Sequence, residues 1–172
     1  MSRTLLLLRH GKSDWSTGAD DFDRPLKKRG VKSALKIGNW LNDNKLAPDY
    51  IITSPAKRAF QTARIISKCA DIKKKAIDKD EHIYLASPEA LLYVLENLPQ
   101  QAKRVLLVGH NPGLEQLLYF LVNGQLEIPA DGKILPTAAL AVVEMPDKWM
   151  KLKNGSAKLT ELIRPREPLD ND

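Results

Sequence analysis

Three short stretches of this 172-residue chain bring together residue types that handle phosphate. Arg9, His10 and Gly11 follow the apolar run at 4–8. Ser54 and Pro55 follow the apolar run at 50–53, with Arg58 one helical turn later. His110, Asn111 and Pro112 follow the run at 105–109. The chain has three histidines, and two of them occupy such positions. Arginine offers a planar fork of N–H donors that pairs with phosphate oxygens. A helix starting near Ser54 would add free amides and a partial positive charge. A neutral imidazole among such cations can attack phosphorus. Taken singly, each feature has a plainer use: a hydrogen-bonded structural histidine, a solvated arginine, a glycine in a tight turn, a Ser-Pro helix start.

These residues act together only if the elements before them lie side by side. Residues 4–8, 50–53 and 105–108 are continuous apolar runs, as expected of strands covered on both faces. A short third strand is predicted over 75–78, and two late strands over 140–145 and 159–163, joined through Asn154-Gly155 as a hairpin. Between them lie helical patterns. One covers 26–44 on Val31, Ala34, Leu35, Gly38 and Leu41. A second, capped by Ser54, runs to about Cys69 on Ala59, Ala63 and Ile66. A third begins at Ser87-Pro88 and carries Ala90, Leu91, Val94, Leu95 and Leu98. A fourth opens at Pro112 and closes at Asn123-Gly124. Alternating strands and helices predict an α/β fold, a three-layer α/β/α sandwich with a largely parallel (mixed) central sheet. In such sheets ligands bind beyond the carboxyl ends of the strands, where these motifs fall.

Composition narrows the classes. With 43% hydrophobic and 28% charged residues, the chain has the makeup of a globular domain rather than a disordered one. One domain is expected over 1–164, with a polar, proline-rich tail that frays over 165–172. The single cysteine, Cys69, rules out an internal disulfide and any zinc site built from several cysteines. A net charge of +6 suits an acidic or phosphorylated partner. Aromatic residues are 6% and do not interleave with the basic ones, so nucleic acid is not expected. The run at 5–8 is too short for a signal or membrane segment, so no membrane association and a cytoplasmic, reducing location are expected.

The stretches LLLLRHGKSDW, TSPAKRAFQTA and GHNP, in this order from residue 4 onward, resemble the histidine phosphatase (phosphoglycerate-mutase-like) superfamily. PTAALAVVEM at 136–145 and the short chain are similar to its SixA-type phosphohistidine phosphatases. The resemblance implies that His10 is the nucleophile and becomes phosphorylated. It implies that Arg9, Arg58 and His110 hold the phosphoryl group, with Ser13 joining the substrate-binding residues. No metal and no cofactor are implied. Glu81 falls at the position of the general acid in mutase-like members; as a residue in a charged stretch, it also reads as a surface side chain.

Larger relatives cover the site with an inserted helical subdomain. Here residues 79–87 and the 124–136 loop are all that is available for one, so an open site is expected. The expected partner is a phosphorylated protein or a small phosphate ester. Phosphohistidine proteins come first. A phosphatase or mutase acting on a small metabolite, or a non-catalytic phosphate-binding module, are the alternatives.

Overall fold

Strand β1 (Arg3–Arg9) is the centre of the molecule, and its four successive leucines, Leu5 to Leu8, have no solvent-exposed surface. A computed structural model describes residues 2–165 and shows α1 (Lys28–Asp43), β2 (Tyr50–Thr53), α2 (Lys57–Cys69), β3 (Ile77–Lys79), α3 (Pro88–Glu96), β4 (Arg104–Gly109), α4 (Gly113–Leu121), β5 (Leu140–Met145) and β6 (Lys158–Ile163). The strands form one sheet in the order β3-β2-β4-β1-β5-β6. Strands β1 to β4 pair in parallel, while β5 runs antiparallel to both β1 and β6. This is the mixed, largely parallel α/β sheet that the sequence predicts. The tail expected from 165 onward lies almost wholly outside the described residues.

Alternate residues of each strand feed two cores, as the two-residue period of a strand requires. Leu6, Leu8, Ile51, Leu106 and Val108 pack under α1 and α2 with Ile37, Leu41, Ala63 and Ile66. Leu5, Leu7, Ile52, Val105 and Leu107 pack under α3 and α4 with Leu91, Leu95, Leu114 and Leu118. Burying all five strand residues on each side explains why β1 and β4 read as unbroken apolar runs.

Several boundaries differ from the sequence reading. Helix α2 starts at Lys57, after an Ala56 cap that offers no side-chain hydrogen bond, so Ser54 does not cap it. Strand β3 begins two residues late, because Lys74–Ala76 forms a 3-10 turn first. In α1, Val31 and Leu35 are exposed, and the buried face is Gly30, Ala34, Ile37, Gly38 and Leu41. The face is set by small residues that allow close approach: a Cβ on Gly38 would lie 2.5 Å from Cys69 Sγ on α2.

A tighter contact fixes the end of β1. A Cβ on Gly11 would stand 2.7 Å from the Gly30 carbonyl oxygen, and one on Gly30 would stand 2.3 Å from that of Lys12. Both distances lie inside van der Waals contact, so backbone meets backbone here and neither position has room for a side chain.

Candidate active site

The register places the motif residues. Arg9 pairs with Gly109 across β1 and β4, and Thr53 pairs with Val108 across β2 and β4. His10, Ser54 and His110 therefore leave the sheet at one rim. The His10 and His110 rings lie 5.1 Å apart, centroid to centroid. Arg58 reaches both from the first turn of α2: its Nε donates to His10 Nε2 at 3.3 Å, and its Nη2 contacts His110 Nδ1 at 3.4 Å. A cavity of about 290 Å³ collects Arg9, His10, Ser13, Arg58 and His110 on one wall system, with Lys12, Trp15, Asp21, Arg24, Leu85, Asn111 and Thr137.

The tautomer of His10 follows from its partners. Nδ1 is 2.7 Å from the Gly11 carbonyl oxygen, which can only accept, so Nδ1 carries the proton and donates it there. Nε2 keeps its lone pair and faces the Arg58 donor. Burial lowers the His10 pKa to about 3, with the fields of His110, Arg58 and Arg9 acting in the same direction against the Gly11 hydrogen bond. His110 is lowered to about 4, again first by burial and then by Arg58. Its Nδ1 faces Arg58 and its Nε2 lies 2.8 Å from Ser54 Oγ, so Nε2 donates to the serine. Both imidazoles are thus neutral at neutral pH. Burial, rather than the neighbouring arginines, is the larger cause.

The start of α2 works differently from the sequence reading. The Ala56 amide donates to Ser54 Oγ and the Lys57 amide to the Phe22 carbonyl. The first bond closes the turn after β2 and the second braces the loop before α1, so neither amide is open to an anion. The helix delivers Arg58 instead, and Ser54 orients His110.

Sequence reasoning missed the residue that holds Arg58. Asp21 accepts from Arg58 Nη2 at 3.2 Å, from Arg24 Nη2 at 2.9 Å and from the Tyr84 hydroxyl, and its carbonyl accepts from Arg58 Nη1. These partners, Tyr84 first, hold its carboxyl at a pKa of about 2. Asp20, Asp21 and Asp23 look alike in sequence, and nothing there singles out the middle one. Arg24 also donates through Nε to Ser13 Oγ at 3.0 Å, so Ser13 is oriented from behind. The Tyr84 ring meets His110 edge-on at 5.6 Å. Arg9 donates to the Leu135 carbonyl at 3.2 Å, while its buried Nε has no partner, an orphan donor of the kind an oxyanion satisfies.

Glu81 is placed elsewhere. It sits exposed on the 3-10 turn Glu81–Ile83 and does not line the cavity. Its neighbours Tyr84 and Leu85 are what the 79–87 segment brings to the site. His82 is exposed and pairs with Asp80, as a surface residue would. Among the described residues no group of histidine, cysteine or carboxylate side chains is arranged to hold a metal ion, and no helix is long and apolar enough to cross a membrane.

Comparison with known proteins agrees with this geometry. The model of the histidine phosphatase superfamily (branch 1) matches residues 5–82. The uncharacterized protein Rv1276c of Mycobacterium tuberculosis is 30% identical over 163 residues, spanning 92% of this chain and 100% of that protein. The crystal structure of a phosphohistidine phosphatase SixA, so assigned, from Agrobacterium tumefaciens superposes with a TM-score of 0.79 at 29% identity, covering 96% of this chain and all of that one. A second SixA structure, from Nakamurella multipartitia, gives 0.80 at 25% identity over 96% and 97% of the two chains. With an Arg-His-Gly turn closing β1, a second histidine closing β4 and an arginine bridging them on a fold shared end to end with these structures, the chain belongs to the histidine phosphatase superfamily.

Proposed function

We propose that this protein hydrolyses phosphohistidine on proteins through a phosphorylated His10. The reading rests on one observation above others: among the described residues, the carboxylate that lines the cavity, Asp21, is held ionised by Tyr84, Arg58 and Arg24 and has no proton to give. An alkoxide leaving group needs a proton in the transition state, whereas an imidazole already protonated on its other nitrogen departs neutral. The likeness over nearly the whole chain to the SixA structures of A. tumefaciens and N. multipartitia supports the reading.

In the first step, His10 Nε2 forms a bond to phosphorus as the bond from phosphorus to the substrate nitrogen breaks, and that nitrogen keeps the electron pair. Arg9 and Arg58, with Ser13, surround the equatorial oxygens as charge develops on them, and His110, anchored by Ser54, accepts from Arg58 Nη2 and helps place that guanidinium. In the second step, water attacks phosphorus and His10 Nε2 recovers its lone pair, giving inorganic phosphate. An open site admits that water directly.

The test is a trapping experiment with a peptide whose histidine has been phosphorylated by phosphoramidate. The wild-type chain is expected to show an acid-labile, base-stable label that vanishes in His10→Ala. Label retained in the variant overturns the nucleophile. The substrate class is tested by Glu81→Gln. Unchanged turnover of the phosphohistidine peptide and of glycerol 2-phosphate is expected, whereas a loss confined to glycerol 2-phosphate restores Glu81 as an acid.

A further inference from the structure

Two large apolar side chains line the cavity of His10 yet lie outside both cores: Trp15 and Leu85, each 74% exposed. Folding gives no reason for a leucine at position 85. The side chain buries little, and the backbone is left-handed at φ 52°, a conformation that suits glycine and strains a bulky residue. Strain of this kind persists where the surroundings hold it, and it gathers at functional sites. Here the holder is visible. The preceding residue, Tyr84, is fastened to Asp21 through its hydroxyl and lies against His110. Trp15 is held from the same centre, since the Arg24 guanidinium sits 3.7 Å from its ring centroid while hydrogen-bonded to Asp21 and Ser13. Both residues are thus positioned by the groups that position Arg58.

We infer that Trp15 and Leu85 receive the leaving group and select flat, aromatic or heteroaromatic phosphates, such as an imidazole or phenyl phosphate, over polyhydroxylated alkyl phosphates. This rests on the phosphatase reading above. An indole face and a leucine side chain offer a flat ring apolar contact, and they offer hydroxyl groups no hydrogen bond in exchange for water. The residues act on the part of the substrate that leaves, not on the phosphoryl group, which Arg9, Arg58 and His10 hold.

The experiment compares Leu85→Gly and Trp15→Ala with the wild-type chain on phenyl phosphate, a phosphohistidine peptide and glycerol 2-phosphate, with vanadate as a probe that has no leaving group. Glycine suits the backbone at 85, so that variant is expected to melt no lower than wild type. In both variants kcat/KM is expected to fall about tenfold for phenyl phosphate and the peptide, the low end for one apolar contact in discrimination. It should fall less than twofold for glycerol 2-phosphate, with the vanadate inhibition constant unchanged. Equal losses on all three substrates overturn the inference. So does weakened vanadate binding, which would make Trp15 a support for Arg24 and Leu85 a wall of the phosphate pocket. Wild-type hydrolysis of phenyl phosphate without hydrolysis of the peptide overturns the protein substrate and leaves the selectivity to be read on phenyl phosphate. Absence of any hydrolysis by the wild type overturns the phosphatase reading itself, and with it this inference.

Discussion

Arg58 makes contacts that a lysine could not replace. Its guanidinium touches His10, His110 and Asp21 at once, through Nε and both Nη atoms. Arg58→Lys keeps the charge and loses the fork. Turnover is expected to fall about a hundredfold, the scale for one transition-state donor, while Lys57→Ala, one position away, should change it less than threefold; steady-state kinetics on phenyl phosphate checks both. The pH profile carries a second expectation. Because His10 titrates near 3 and not near 6.5, kcat/KM corrected for substrate ionisation should stay level as pH falls from 7 to 5. A limb near 6.5 would mean that His10 is solvated. At this scale the sequence is informative where a residue follows an apolar run, which is how Arg9, His10 and His110 stand out. Ser13, placed by the family resemblance, takes its orientation from Arg24. Asp21, Arg24 and Tyr84 stay hidden, because their roles are contacts between segments far apart in the chain.

Between β1 and α1, the loop carrying Asp21 ties α2 to the rest of the site. Arg58 and Arg24 both end on Asp21, and the Lys57 amide ends on the Phe22 carbonyl. Asp21 is therefore a positioning residue. Asp21→Asn keeps the shape but removes the charge that fixes two guanidiniums, and it is expected to lower kcat about tenfold or more with a smaller change in KM. A shift confined to KM would place Asp21 on the substrate instead. Strand positions were readable to within a residue or two, because buried parallel strands leave unbroken apolar runs. The faces and starts of helices were less so. In α1 the buried face is Gly30, Ala34, Ile37, Gly38 and Leu41, with Gly38 pressed on Cys69 of α2 and Gly30 on Lys12, and a pattern of large apolar residues points instead to Val31 and Leu35. At α2 the Ser-Pro pair mimics a cap, but Ser54 stands two residues before the Ala56 cap and serves the Ala56 amide and His110 instead.

Stability of the whole molecule should record the two buried histidines. In the unfolded chain each takes up a proton below about pH 6.5, while in the folded protein they stay neutral down to about 4 and about 3. Over that interval the unfolded state binds more protons, so folding stability falls as pH drops from about 6.5 and levels off for these groups below about 3. The urea midpoint is expected to decline from pH 7 to pH 4, with a shallower slope in His10→Ala. An equally steep slope in that variant would assign the decline to carboxylates. The mixed sheet and its two helical layers were legible from the alternation of elements. The use made of Tyr84 and Leu85 was not legible, because both act through contacts with residues far off in the chain.

The paired glycines at 11 and 30 have a consequence for how this protein could be changed. The segment between them is a loop with both ends pinned, since Lys12 and Gly30 are pressed together and the Lys27 amide bonds the Lys12 carbonyl at 3.0 Å. Its tip, residues 16–20, is exposed, and Gly18 there has no heavy atom within 4 Å of where a Cβ would stand. Lengthening a loop whose ends are already fixed adds little closure entropy, about 0.6 kcal/mol per doubling. The tip can therefore accept new chain without disturbing His10, whereas an insertion next to either glycine would move the nucleophile. For an engineer, or for a lineage, this is the place where an open phosphatase could acquire a roof.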